Sequence, residues 1–150
     1  MKKIRLFALG LTLVLLALTA AACGSPKVSV NCTVSVMIDG EYILDHYPYT
    51  VQGTEAKRPT VLQATREALQ MIGVSSEADS ENLSMECISY DGVDYRSGLD
   101  PTGDKINFWI YTLDGVEPKE GRAGTNYVQE GQEIVFTYET EYINEPTFND

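Results

Sequence analysis

The chain has 150 residues, 22 of them acidic and 11 basic, for a formal net charge of −11 at neutral pH. Such an imbalance excludes nucleic acid as a partner and any attraction of the whole molecule to anionic lipid, since both need basic surface. Enzyme chemistry has few residues to work with: His46 is the only histidine, Cys-x-x-Cys and Gly-x-x-x-x-Gly-Lys are absent, and no paired histidines can hold zinc.

The N-terminus reads as an export signal. Lys2, Lys3 and Arg5 form a basic n-region, and Leu6 to Ala22 is an uncharged run that ends in small residues. A retained membrane span, which needs about 20 apolar residues, is the weaker alternative for a run of 17. Ala20-Ala21-Ala22 leads directly into Cys23-Gly24-Ser25 and resembles the lipobox of bacterial lipoproteins, with alanine at position 20 where leucine is commoner. That resemblance implies diacylglycerol on the Cys23 thiol, palmitate-type acyl chains in the membrane, cleavage of residues 1–22 and residence on the extracytoplasmic face of the cell membrane. Several acyl chains on one residue hold firmly, because each buried CH₂ contributes about 0.8 kcal/mol. Secretion with Cys23 free is the alternative. Loss of residues 1–22 removes three basic side chains and no acidic ones, leaving 22 acidic against 8 basic and a net charge of −14. The remaining 128 residues suit one domain with one core.

Residues 23–27 read as a lipidated tether. From Val28 to Ile38, apolar and polar residues alternate, which predicts a half-buried strand. Asp39-Gly40 signals a hairpin turn, and Glu41 to Val51 reads as the returning strand. Pro48 inside it predicts an edge position or a break. The period then changes. Thr60-Val61-Leu62-Gln63 has the form of a capping box, and Val61, Leu62, Ala64, Thr65, Ala68, Leu69 and Ile72 predict a helix that Gly73 closes. Ser75 to Asn82 is polar and acidic and predicts a loop. Leu83–Tyr90, Val93–Arg96, Ile106–Thr112 and Glu133–Tyr142 predict four more strands, with Asp91-Gly92 and Asp114-Gly115 as turns. In the last strand, Ile134, Phe136 and Tyr138 are expected to face the core. Residues 143–150 read as an acidic tail. The expected fold is a single α+β domain over residues 28–142, with one helix packed on a sheet.

Cys32 and Cys87 remain once Cys23 is committed to lipid. They form either a disulfide, as an exported chain allows, or two small buried thiols. Asp91-Gly92-Val93-Asp94 and Asp100-Pro101-Thr102-Gly103-Asp104 lack the calcium-loop spacing and read first as turn formers; no metal site is expected. Nine tyrosines, four phenylalanines and one tryptophan are more informative. Phe108-Trp109-Ile110-Tyr111 puts four large side chains in one strand. Either the strand is covered on both faces, or one pair forms an exposed platform for a ligand or partner.

Thr60-Val61-Leu62-Gln63-Ala64, Phe108-Trp109-Ile110-Tyr111 with Leu113-Asp114-Gly115, and Gly131-Gln132-Glu133-Ile134 stand in an order that resembles the transcobalamin C-terminal-like domain of bacterial surface lipoproteins. The resemblance spans about residues 28–140 and implies a β-grasp-like mixed sheet with one helix on it. Asp114-Gly115 departs from the Asn-Gly frequent in the family, within the same turn chemistry. A binding module without catalytic residues is implied, for cobalamin, another corrinoid or another planar small molecule as bound ligand rather than cofactor. The residues mapping onto the family's hairpin motif, Trp109, Tyr111, Asp114, Gly115 and Tyr127, are the candidate ligand contacts. In the animal carriers the ligand lies between this domain and a helical barrel; here an envelope protein partner would supply the other wall. A cell-surface protein-interaction or adhesion module, docking through a sheet edge or aromatic face, is the competing expectation. A hydrolase built on the Asp clusters is the weakest.

Overall fold

The structure is a computed structural model that describes residues 25–143. The expected leader, Cys23 and the tail from residue 144 onward lie outside the described residues. Eight strands and one helix follow in the order β1 (Lys27–Ile38), β2 (Glu41–Thr54), α1 (Val61–Met71), β3 (Ser75–Ala78), β4 (Met85–Tyr90), β5 (Val93–Arg96), β6 (Gly98–Leu99), β7 (Lys105–Leu113) and β8 (Gln132–Tyr142). They form a five-stranded sheet, β2-β1-β8-β7-β6, and a three-stranded sheet, β3-β4-β5. The architecture is mixed α+β, dominated by sheet.

Register explains the core. β1 and β8 run parallel, with Val34 beside Ile134, Val36 beside Phe136 and Ile38 beside Tyr138. β7 runs antiparallel to β8 and extends those rows with Leu113, Tyr111 and Trp109. Because side chains alternate across a strand, all three rows point to one face. There the Val34 and Val36 rows and Trp109 share one core with the buried side of α1, made of Val61, Leu62, Ala64, Thr65, Ala68 and Leu69, while Tyr138 packs against Tyr95 of β5. Phe136 and Leu69 are among the largest fully buried side chains; burying each contributes about 1.5–3 kcal/mol. Ile72, expected in the helical stripe, is 40% exposed. It is the C-cap residue, and the chain turns away at Gly73, whose φ of 78° suits glycine.

Other local expectations are met in modified form. Thr60 caps α1 by accepting from the Gln63 N–H at 3.3 Å. No return bond from the Thr60 N–H to the Gln63 side chain is formed; the Gln63 amide NH₂ donates to the Gln52 carbonyl and the Glu67 carboxylate. Pro48 lies in β2, an edge strand of the sheet, where its missing N–H costs no ladder bond. Asp39-Gly40, Asp91-Gly92 and Asp114-Gly115 each pair a left-handed aspartate with a left-handed glycine, as two-residue hairpin turns of the twisted-strand type require.

The segment read as a loop from Ser75 is partly strand. Ser75–Ala78 pairs antiparallel with β4, and Glu77 on it bridges to Arg96 of β5 at 2.8 Å. The pairing comes from the neighbouring strand, so the segment's own polar composition carried no period to read. The short β6 was likewise unexpected. β2 also holds a bulge: Val34 pairs with Tyr47 but Val36 with Leu44. The extra residue accommodates His46, whose φ is 43° and whose N–H donates to the buried Ser35 hydroxyl at 2.9 Å.

Candidate functional site

The five residues singled out by the sequence serve different ends. Trp109, half-buried on the core side of β7, donates its indole N–H to the Tyr95 carbonyl at 3.0 Å. Its ring lies 4.9 Å from that of Tyr138, which packs edge-on to Tyr95 at 5.4 Å. The Tyr138 hydroxyl donates to the Arg96 carbonyl at 3.0 Å. This cluster fastens β7 and β8 of the large sheet to β5 of the small one, so the tryptophan has its polar group already engaged.

Tyr111 stacks on Phe136 at 5.4 Å. Its hydroxyl accepts from the Asn126 amide at 2.6 Å and donates to the Gly121 carbonyl at 3.4 Å, tying β7 to the long β7–β8 connection. Burial pushes the Tyr111 hydroxyl above its ordinary pKa, opposed by the Asn126 hydrogen bond. Asp114 and Gly115 make the turn beyond β7. The Asp114 carboxylate accepts from the Glu133 N–H at 2.9 Å and its own N–H donates back to the Glu133 carbonyl at 2.9 Å. Phe108 and Ile110, on the opposite face of β7, are also half-buried, so the strand is neither sealed on both sides nor a bare platform.

Tyr127 differs. It is 52% exposed and lies on the β7–β8 connection, where it bridges to Thr60 at the start of α1. The Arg58 guanidinium sits over its ring, 5.2 Å from the centroid, a cation–π contact. It lines two concavities, to which the other four candidates do not contribute. An open hollow of about 740 Å³ lies on one side, with Leu113, Val30 and Val128 among its walls and Asn126, Glu120 and Glu130 as polar neighbours. An open groove of about 940 Å³ runs along α1 on the other side, lined by Lys57, Arg58, Gln63, Arg66 and Gln70 among others. Arg58 and Tyr127 belong to both and divide them.

Close backbone packing holds these walls. A Cβ on Gly124 would lie 2.1 Å from the Asn82 carbonyl oxygen, and one on Gly53 2.8 Å from the Lys57 carbonyl oxygen. Glycine at those positions lets the β7–β8 connection sit against residues 82–83 and lets the Lys57–Pro59 turn fold back on β2. Neither Gly124 nor the cations of the Lys57–Arg58 turn stood out in the sequence. The signal available was Lys57-Arg58, two adjacent cations at a helix entry in a chain whose acidic residues outnumber its basic ones.

The remaining sequence candidates are structural. Cys32 and Cys87 are two separate buried free thiols, in β1 and β4 of different sheets, so the disulfide alternative is absent here. Burial, aided by the Glu130 charge, pushes the Cys32 thiol up to about 11, and burial raises Cys87 as well; neither is a ready thiolate. Asp100 accepts from the Thr102 hydroxyl at 2.7 Å and from the N–H groups of Asp104 and Lys105. It organises its own turn, and these bonds hold its carboxyl below the usual range. Among the described residues no three His, Cys, Asp or Glu side chains converge as metal ligands. His46 is flanked by Asp45 and Glu133 on the exposed bulge.

No protein-family model matches the chain, and no curated protein matches it. Among solved structures, the chain is similar to haptocorrin in complex with Cbi, at 19% identity and a TM-score of 0.49 over 75% of this chain. It is also similar to a proposed metal binding protein from Ruminococcus gnavus ATCC 29149, at 16% identity and a TM-score of 0.38, over 75% of this chain and 99% of that one. The chain spans only 25% of the haptocorrin chain, and neither likeness assigns it a ligand.

Proposed function

We propose that the protein is an exported lipoprotein, anchored at the extracytoplasmic face of the membrane through Cys23, whose domain binds a small molecule and carries out no catalysis. The leader composition and the Ala-Ala-Cys junction support the anchor. The order β2-β1-β8-β7 with a parallel central pair, and the helix following the first hairpin, support a β-grasp-like reading. The sequence resemblance to the transcobalamin C-terminal-like domain makes a corrinoid the first ligand class to test.

The observation that carries the binding reading is Tyr127, an exposed ring with one face held by Arg58, at the edge of a hollow whose floor includes Leu113 and Val128. An amphipathic ring at the mouth of a concavity suits a planar ligand. Tight sites enclose most of their ligand, about 70–90%, whereas this hollow is open. Unaided affinity is therefore weak, and a partner protein would complete the wall. Trp109 and Tyr111 act by holding the hollow's frame, and Asp114-Gly115 by turning the chain beside Leu113.

The test is a titration of the chain from Cys23 onward, which retains every described element, with cobalamin and with cobinamide. Saturable NMR shifts at Tyr127, Leu113 and Val128 are expected, with a response weakened at least tenfold in Tyr127→Ala. Absence of any shift at high micromolar ligand rules out unaided corrinoid binding. For the anchor, mass spectrometry of the native protein is expected to find a diacylglyceryl group on an N-terminal Cys23; an intact leader with a free thiol would refute it.

A further inference from the structure

We propose that the groove along α1 is a phosphate-binding site, with Lys57, Arg58 and Arg66 as its cationic ligands. The inference concerns the other side of the Arg58–Tyr127 divider and stands whether or not the corrinoid reading holds.

The first observation is a reversal of charge. Beyond the leader, acidic side chains outnumber basic ones 22 to 8. The groove lining holds three of those eight cations and a single carboxylate, Glu67. Glu67 is already occupied: one oxygen accepts from the Tyr49 hydroxyl at 2.9 Å and the other from the Gln63 amide at 2.9 Å. A net positive concavity on so acidic a body focuses anions that the remaining surface repels.

The second observation is the absence of partners. Among the described residues, none of Lys57, Arg58 and Arg66 lies within 4.0 Å of a carboxylate, whereas Arg96 and Arg122 both do. Arg66 is half-buried; one terminal nitrogen reaches the Ser76 carbonyl at 3.4 Å, and its Nε is buried with no hydrogen-bond partner. Such orphaned buried donors are rare. Because Nε is enclosed, the edge this guanidinium offers an oxyanion is its pair of terminal nitrogens, only one of which is held, by Ser76.

Phosphate fits better than a halide. Whether a monoester with close to two negative charges at neutral pH or a lipid diester with one, it presents several strong acceptor oxygens, which a guanidinium can meet in a forked contact. Gln70, Ser75 and Ser76 also line the groove and supply neutral donors.

The phosphate has two sources of the same chemistry, a free phosphate monoester or the headgroup of an anionic phospholipid. The turn that carries Lys57 and Arg58 sits at the tether end of the domain: the Glu55 N–H donates to the Pro26 carbonyl at 3.1 Å, and Thr54 pairs with Lys27. Cys23 is three residues before Pro26, at most about 11 Å of chain. The headgroup source therefore rests on the Cys23 anchor, and the free-phosphate source does not.

The experiment uses the chain from Cys23 onward with Cys23→Ser, followed by amide NMR at constant ionic strength. Sodium phosphate is titrated against a chloride control, and in parallel the protein is sedimented with phosphatidylcholine vesicles with and without phosphatidylglycerol. Saturable shifts at Lys57, Arg58, Arg66 and Ser76 with phosphate alone, weakened at least tenfold in Arg58→Gln/Arg66→Gln, support a free phosphate ligand. Co-sedimentation only with phosphatidylglycerol, lost in the same variant, supports the headgroup. Lys57→Gln/Arg58→Gln, confined to the exposed turn, decides the matter if Arg66→Gln unfolds the protein. No saturable shift together with no variant-sensitive vesicle binding overturns the proposal, as does a response spread evenly over the surface.

Discussion

Two aromatic regions of this molecule use the same residue types for opposite purposes. On β7, Trp109 and Tyr111 have their rings packed against Tyr138 and Phe136 and their polar atoms bonded to Tyr95 and Asn126. On the β7–β8 connection, Tyr127 leaves half its surface open and is touched by a cation. A dense aromatic strand is thus a joint between sheets, while the surface proposed for recognition is built from a loop, a turn and the polar side of one helix. Rings whose faces and polar ends are both satisfied have nothing left to offer a ligand.

Substitutions should separate the regions, and the largest effect belongs to the joint. Phe136→Ala empties a fully buried site shared by β1, β7 and α1 and is expected to cost about 3–5 kcal/mol in denaturant unfolding. Gly124→Ala is expected to cost on the order of 2–4 kcal/mol, because its Cβ would meet the Asn82 carbonyl at 2.1 Å. It should also perturb amide shifts in both hollows, since one connection walls both.

The sharper contrast is Trp109→Phe against Tyr127→Ala. The first leaves the Tyr95 carbonyl without its donor and is expected to cost about 1–3 kcal/mol with little change in any ligand response. The second is expected to cost less than about 0.5–1 kcal/mol while weakening ligand binding at least tenfold. The opposite pattern would return the recognition role to β7. The smallest effect is at His46, whose pKa is raised above 6.5, first by the Asp45 hydrogen bond. A raised folded-state value means the added stability is complete below the unfolded pKa and fades as pH rises through the folded one. An NMR titration should place the midpoint above 6.5, and Asp45→Asn should lower it.

Much of the fold was legible because it is periodic. β1 announces itself by strict alternation, α1 by three- and four-residue spacing with Thr60 before it and Gly73 after it, and the hairpins by their Asp-Gly pairs. β3 and β6 gave no such signal, since strands this short are defined by the neighbour they pair with. The candidate site was less legible still. Of the residues taken from the hairpin motif, Tyr127 faces a concavity, whereas Trp109, Tyr111, Asp114 and Gly115 hold the frame.

The sequence by itself determined the local periods and turns, the acidic balance and the scarcity of reactive side chains, because these depend on residue identity and near neighbours. Tertiary structure alone decided which aromatics were consumed in packing and which stayed open. It also decided that Lys57, Arg58 and Arg66 share one groove: residues from a turn and from α1 become neighbours only when Gly53 and Gly124 let distant backbones approach. Charge is additive along a chain, but the field a ligand meets depends on where folding places each charge.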